Sequence, residues 1–106
     1  MKKLKFLVIG KNEAILEVLV RLLNTEKDWT AEGFMDENQA LSVSDFSKFD
    51  ILLLSCGIEE TIEQLIREKA IELNPTLIII QHYGGGSGLL KNEILSALAE
   101  SGRQIL

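Results

Sequence analysis

The chain has 106 residues, of which 46% are hydrophobic, and its formal net charge at pH 7 is −5. This length fits one small domain, residues 1–106, that can bury a core. The negative charge argues against a nucleic-acid partner, because nucleic acids bind basic surfaces. No apolar stretch approaches the roughly 20 residues of a membrane-spanning helix, and the single cysteine, Cys56, cannot form an intramolecular disulfide. We therefore expect a cytoplasmic domain that binds neither nucleic acids nor membranes.

Strands and helices are predicted to alternate along the chain. The segment Phe49–Gly57 holds an apolar run without polar alternation, which is typical of a strand buried on both faces of a parallel sheet. Asn12 is predicted to cap the first helix, and Asp36 or Asn38 the second. The other predicted strands are Leu4–Ile9, Trp29–Met35, Leu77–Ile80 and a short fifth strand at Arg103–Leu106. The predicted helices are Glu13–Asn24, Gln39–Phe46, Glu60–Leu73 and Leu89–Glu100. This alternation predicts a three-layer, doubly wound α/β fold.

Four segments carry a resemblance to a known family. They are Leu7–Glu13 and Asp50–Ser55, each an apolar strand with polar residues at its end, then Ile80–Gly84 and Ala97–Gly102. In order and spacing they resemble the receiver domain of response regulators. The resemblance implies a flavodoxin-like sheet with strand order 2-1-3-4-5.

The residues that carry the chemistry of receivers are replaced here. The resemblance places Gly10 and Lys11 where receivers have two acidic residues, Ser55 at the phospho-accepting aspartate, and Gln81 at the Thr or Ser that contacts the phosphoryl group. Receiver phosphorylation needs a Mg²⁺ ion held by oxygen ligands, and a lysine at the metal position would repel that ion. We expect a degenerate pseudo-receiver that is not an enzyme, with no metal and no cofactor.

Receivers also continue into a fifth helix, which covers one sheet face beside the first helix. No segment of residues 1–106 is predicted to form that helix, so apolar residues of the last strands and of the flank of the first helix should face water. Burying such a patch favours association. We expect a homodimer, or a protein partner, on this face.

The loop after the fourth predicted strand is rich in glycine. Its residues are His82, Tyr83, Gly84, Gly85, Gly86, Ser87 and Gly88. Glycine amides at the start of a helix can bind an anion, but the spacing matches neither common phosphate-binding motif. An ordinary turn with Ser87 as helix cap explains the loop as well. The same applies to His82, which is interpreted as a plain strand-end residue.

Five glutamates of the third helix resemble a carboxylate cluster. They are Glu59, Glu60, Glu63, Glu68 and Glu72. They alternate with basic residues, which is typical of a solvated helix face with weak ion pairs. We interpret them as surface residues.

Two hypotheses of function follow. The first is a phosphorylation-independent interaction module in signal transduction or regulation, whose surface would include Tyr83, Leu89, Leu90, Ile94 and residues 103–106. The alternative is a domain that binds a small anion or phosphate ligand through Lys11 and the Gly84–Gly88 loop.

Overall fold

The architecture is a four-stranded parallel sheet between two layers of helices. The computed structural model describes residues 3–43, 46–55, 57–81 and 87–100, and for residues 87–91 and 100 the backbone alone. The strands are β1 (Leu4–Ile9), β2 (Trp29–Phe34), β3 (Ile51–Leu54) and β4 (Ile78–Gln81). They pair in parallel in the order β2-β1-β3-β4. The predicted α/β class and this order are confirmed, and the predicted fifth strand lies outside the described residues.

Each strand is followed by a helix. The helices are α1 (Glu13–Asn24), α2 (Glu37–Leu41), a 3₁₀ turn (Phe46–Lys48), α3 (Glu60–Leu73) and α4 (Ser87–Glu100). The predicted caps are present, since Oδ1 of Asn12 accepts the amide of Ile15 at 3.1 Å and Oδ1 of Asp36 accepts the amide of Asn38 at 2.8 Å. These bonds satisfy amides that the first helical turn leaves without partners.

The second helix is shorter than predicted. It ends at Leu41, whereas the sequence predicts a helix to Phe46. Ser42 follows it, and its hydroxyl donates to the carbonyl oxygen of Asn38 at 2.6 Å. Serine side chains compete for backbone groups in this way, which makes serine a mediocre residue inside a helix. Phe46 is buried from the 3₁₀ turn instead.

Successive residues of each strand belong in turn to two buried clusters, one on each face of the sheet. The first, the α1-face cluster, joins β1, β3 and β4 to α1 and includes Phe6, Val8, Leu16, Leu19, Leu23, Ile51, Leu53 and Ile80. The second, the α3-face cluster, joins the same sheet to α2, the 3₁₀ turn and α3, and includes Leu7, Ile9, Ala40, Phe46, Leu52, Leu54, Ile66 and Ala70. The side-chain period of two in a strand produces this division.

The last helix lies on the face that was expected to be open. Ile94 and Leu98 of α4 are buried in the α1-face cluster, together with Leu16 of α1 and Ile80 of β4. Helix α4 therefore occupies the place beside α1 that a fifth helix fills in receivers. The expectation that this face is open to water is wrong for β4, because α4 covers it there; the predicted fifth strand lies outside the described residues.

Part of the predicted apolar patch remains. Ile15 and Val18 on α1 and Leu95 on α4 are exposed. On the other face of the sheet, Leu65 and Leu73 of α3 are also exposed, whereas α3 buries Ile66 and Ala70. The five-residue α2 is too short to cover the rest of α3. Among the described residues no helix is long and apolar enough to cross a membrane.

Candidate functional site

The predicted site lies where β1 and β3 end side by side. Ile9 and Leu54 are partners in the parallel register, so Gly10 and Ser55 follow as neighbours. The amide of Ser55 donates to the carbonyl oxygen of Ile9 at 2.8 Å, and the amide of Gly10 donates to that of Phe34 at 3.1 Å. The carboxyl ends of parallel strands are the usual location of α/β binding sites.

At this edge the two strand ends are packed against each other. A Cβ atom added to Gly10 would lie 2.9 Å from the Cβ of Ser55 and 3.4 Å from its Oγ. Ser55 is only 2% exposed. A separation of 2.9 Å is closer than carbon atoms pack, since their optimal contact is about 3.5–4.0 Å. An extra carbon atom on residue 10 would therefore force Ser55 or the neighbouring backbone to shift.

The loop after β3 closes the same edge from the outside. Gly57 has φ of +90°, and a Cβ atom on it would lie 3.3 Å from the Cβ of Lys11. Glycine adopts this backbone conformation without steric cost, whereas other residues seldom do. The loop can thus approach Lys11 closely, and the two loops leave little room between them.

The side chain of Lys11 points away from Ser55. Its Nζ donates to Oε2 of Glu37 at 2.6 Å and to the carbonyl oxygen of Met35 at 2.9 Å. The hydrogen bond from Lys11 lowers the pKa of the Glu37 carboxyl below its ordinary value, with smaller contributions from the backbone and from the lysine charge. Lys11 therefore neutralises Glu37 at the start of α2, a role that the sequence analysis did not anticipate.

Gln81 is joined to α3. Its Nε2 donates to Oε1 of Glu63, whose Oε2 also accepts from Nε of Arg67 at 3.1 Å. Position 81 points to the α3 side of the sheet because its neighbour Ile80 belongs to the α1-face cluster. The ion pairing predicted for the α3 glutamates is present between Glu63 and Arg67, but Glu63 is less solvated than expected, since only 19% of its side chain is exposed. In the sequence, the alternation of side chains along β4, which directs Gln81 to the α3 side, is the one signal that points to this contact.

The remaining predicted site residues lie in the segment after β4. Asp50 was not predicted as a site residue; it lies at the amino end of β3, where its carboxylate accepts the amide of Lys5 at 2.9 Å. His82, Tyr83, Gly84, Gly85 and Gly86 lie outside the described residues. Helix α4 begins at Ser87, so Ser87 and Gly88 belong to its first turn, not to a preceding loop. Among the described residues no group of three or more acidic, histidine or cysteine side chains could hold a metal ion.

Comparisons with known proteins identify the fold. No protein-family model matches the sequence, and no curated protein matches it. Solved structures do match. The signal receiver domain of an HD domain-containing protein from Pseudomonas fluorescens Pf-5 is similar over 95% of this chain and 98% of that one, with a TM-score of 0.62 and 17% identity. The chain has a receiver-like fold.

Two pilus-assembly proteins share that fold. The CpaE pilus assembly protein of Burkholderia thailandensis E264 is similar over 89% of this chain and 79% of that one, with a TM-score of 0.63 and 22% identity. A pilus assembly-related protein of Burkholderia pseudomallei K96243 is similar over 95% of this chain and 74% of that one, with a TM-score of 0.60 and 21% identity. At this level of identity the likeness concerns the fold.

Proposed function

We propose that this receiver-like domain is a phosphorylation-independent protein-interaction module in signal transduction or regulation. Receivers combine a scaffold with a pocket that accepts a phosphoryl group. The receiver scaffold is present, as the sheet order and the similarity to a signal receiver domain indicate. At the positions that the resemblance assigns to the phosphorylation pocket, this chain has Gly10, Lys11, Ser55 and Gln81, and these residues support the proposal.

The contact between Gly10 and Ser55 carries the proposal. Residue 10 stands at the first acidic position and residue 55 at the acceptor position of the resemblance. The 2.9 Å approach between a Cβ at residue 10 and the Cβ of Ser55 means that a side chain at residue 10 would require the two strand ends to shift. Ser55 is buried, and an unactivated hydroxyl is a weak nucleophile. The edge is thus packed like a core.

Lys11 argues against the alternative of an anion site. A lysine that binds a phosphate or carboxylate ligand offers its charge to that ligand. Here the ammonium group is already held by Glu37 at 2.6 Å and by the carbonyl oxygen of Met35. A ligand would have to displace both partners.

The exposed apolar side chains support a function in protein binding. Ile15 and Val18 on α1 and Leu95 on α4 lie on the two helices that share one sheet face. Apolar surface of this kind contributes about 25 cal/mol per Å² when a partner buries it. Such a surface can bind a protein without any catalytic group.

The test is treatment of the purified chain with acetyl phosphate and Mg²⁺. We expect an unchanged intact mass, an unchanged amide NMR spectrum and an unchanged solution mass by light scattering at every concentration. A receiver domain with an intact acidic pocket, treated in parallel, controls for the phosphodonor. A gain of one phosphoryl group that alters the spectrum or the association would contradict the proposal. Ser55→Ala should behave as the parent chain in all three measurements.

A further inference from the structure

The two edge strands of the sheet, β2 and β4, differ in whether their outward backbone groups have hydrogen-bond partners. On β2 the amide of Ala31 points outward, and Oδ1 of Asn24 accepts from it at 2.9 Å. Nδ2 of the same side chain donates to the carbonyl oxygen of Ala31 at 3.2 Å. The Asn24 amide thus binds this edge as a neighbouring strand would. Next to it, the amide of Trp29 donates to Glu26. Such capping prevents an edge from pairing with other chains.

The outer edge of β4 has no such cap within the described part of the chain. The amide of Ile78 donates to the carbonyl oxygen of Asp50, next to β3, so Ile78 faces inward and Ile79 faces outward. No described residue bonds to the outward amide and carbonyl of Ile79. The strand is apolar from Leu77 to Ile80, with none of the lysines, prolines or bulges that usually protect an edge.

The handedness of crossovers limits which strand could lie beside β4. Helices α2 and α3 pack on one face, and α1 and α4 on the other. The crossover from β3 to β4 passes over the α3 face, and about 98% of such crossovers are right-handed. A further parallel strand beside β4, reached through α4 on the opposite face, would make a left-handed crossover. A parallel strand reached through α4 is therefore disfavoured at this edge.

We infer that β4 pairs antiparallel with β4 of a second copy of this chain, about a two-fold axis at Ile79. In that register each Ile79 amide donates to the carbonyl oxygen of the other Ile79, as in any hydrogen-bonded antiparallel pair. Ile78 of one copy lies opposite Ile80 of the other, on the α1 face. The two sheets join into one of eight strands. A symmetric axis makes the contact self-limiting at a dimer.

The charge and the exposed apolar surface of α3 beside β4 are compatible with a second copy of the chain at this edge. Glu63 of α3 bonds Gln81 at the end of β4 and pairs with Arg67, so this ion pair adds no net charge there, although the whole chain carries −5. Ile71, one turn beyond Arg67, is 43% exposed. Two copies would therefore meet without strong local repulsion and bury apolar surface.

The contact is small, and this sets its strength. A four-residue strand with one helix flank falls below the roughly 1,200 Å² of stable interfaces. We expect a dissociation constant in the micromolar range or weaker, and association that rises with concentration. The inference deepens the proposed interaction role and rests on it, because it names a second copy as the partner. It does not depend on how the chain responds to a phosphodonor.

Hydrogen exchange at single amides tests the pairing without any substitution. The amide of Ile79 should exchange about tenfold more slowly at a concentration where nine-tenths of the chain is paired, because exchange then proceeds through the unpaired tenth. The amide of Ile78, bonded to Asp50 in the isolated chain, is the internal control and should change little. Light scattering on the same samples reports the mass.

Two variants sharpen the test. Ile79→Pro removes the outward amide and should give a monomer at every concentration, since proline is tolerated where a strand's N–H faces outward. Ile79→Val keeps the amide and a β-branched side chain and should still associate. If Ile79→Pro fails to fold by circular dichroism, Ile79→Lys serves instead, because it places two ammonium groups at the axis.

Each other outcome overturns the inference. A monomer with an unprotected Ile79 amide at all concentrations would show that the edge stays open. A dimer whose Ile79 amide exchanges freely would place the interface elsewhere, for example on α1. An Ile79 amide protected in the monomer would show that the chain covers its own edge. None of these results bears on phosphorylation.

Discussion

Gly10 and Ser55 decide what the carboxyl edge of the sheet can hold. The sequence identifies both residues as replacements, but a replacement alone does not tell whether an empty pocket or a packed contact results. The 2.9 Å approach that a Cβ on residue 10 would make shows a packed contact. Glycine at residue 10 is therefore part of the packing of β1 against β3.

Gly10→Ala should destabilise the fold. The added methyl group collides with the Cβ of Ser55, and overpacking of this kind costs about 1–3 kcal/mol. Urea unfolding followed by circular dichroism measures the change. Adding Ser55→Gly removes the opposing carbon and should restore part of the loss, whereas Ser55→Ala keeps that carbon and should not. A neutral Gly10→Ala would mean that the pocket is open.

The sequence predicts the position of Gly10 and Ser55 at this edge but not the contacts of Lys11 beside them. The apolar runs predicted β1 and β3, and parallel pairing then places Gly10 beside Ser55. The direction of the Lys11 side chain was not predictable, because its partners Glu37 and Met35 come from a separate segment. Long side chains at strand ends can turn to either side. Only the fold shows which acceptor is within reach.

At the scale of elements, the edge of β2 depends on one side chain of α1. Asn24, the last residue of α1, bonds both the amide and the carbonyl of Ala31. The sequence predicted α1 and β2 as separate elements, but a bond between a helix end and a strand seven residues later leaves no periodic signal. The loop conformation sets it, including Asp28 at φ of +70°.

Asn24→Ala should weaken this junction. Each hydrogen bond contributes about 0.5–1.5 kcal/mol, so the loss of both should cost about 1–3 kcal/mol. Asn24→Asp keeps the acceptor for the Ala31 amide and loses the donor, and we expect roughly half the effect. Chemical denaturation measures both variants. The exchange rate of the Ala31 amide should rise in Asn24→Ala and less in Asn24→Asp, and equal rates in both would contradict this assignment.

At the scale of the molecule, the position of α4 was the main feature that the sequence did not predict. Its apolar residues, Leu89, Leu90, Ile94, Leu95 and Leu98, surround much of the helix, so the pattern does not indicate which side is buried. Either face of the sheet could accept it. The structure places it beside α1. This placement covers β4 on that face, and a parallel strand beside β4 reached through α4 would need a left-handed crossover.

Two leucines of α4, three residues apart, test this placement. Leu98 is 1% exposed and Leu95 is 41% exposed. Leu98→Ala should cost about 2–5 kcal/mol, because it removes buried contacts and leaves a cavity. Leu95→Ala should stay within about 0.5 kcal/mol, as exposed substitutions usually do. Urea unfolding at equal protein concentration compares them.

A double-mutant cycle then identifies the face on which α4 packs. Ile80 of β4 shares the α1-face cluster with Leu98, whereas Ile66 of α3 belongs to the α3-face cluster. Residues that share a packed site couple by about 0.5–3 kcal/mol, and distant residues add. Leu98→Ala should therefore couple with Ile80→Val and be additive with Ile66→Val. The reverse pattern would place α4 on the α3 face of the sheet and would contradict its position beside α1.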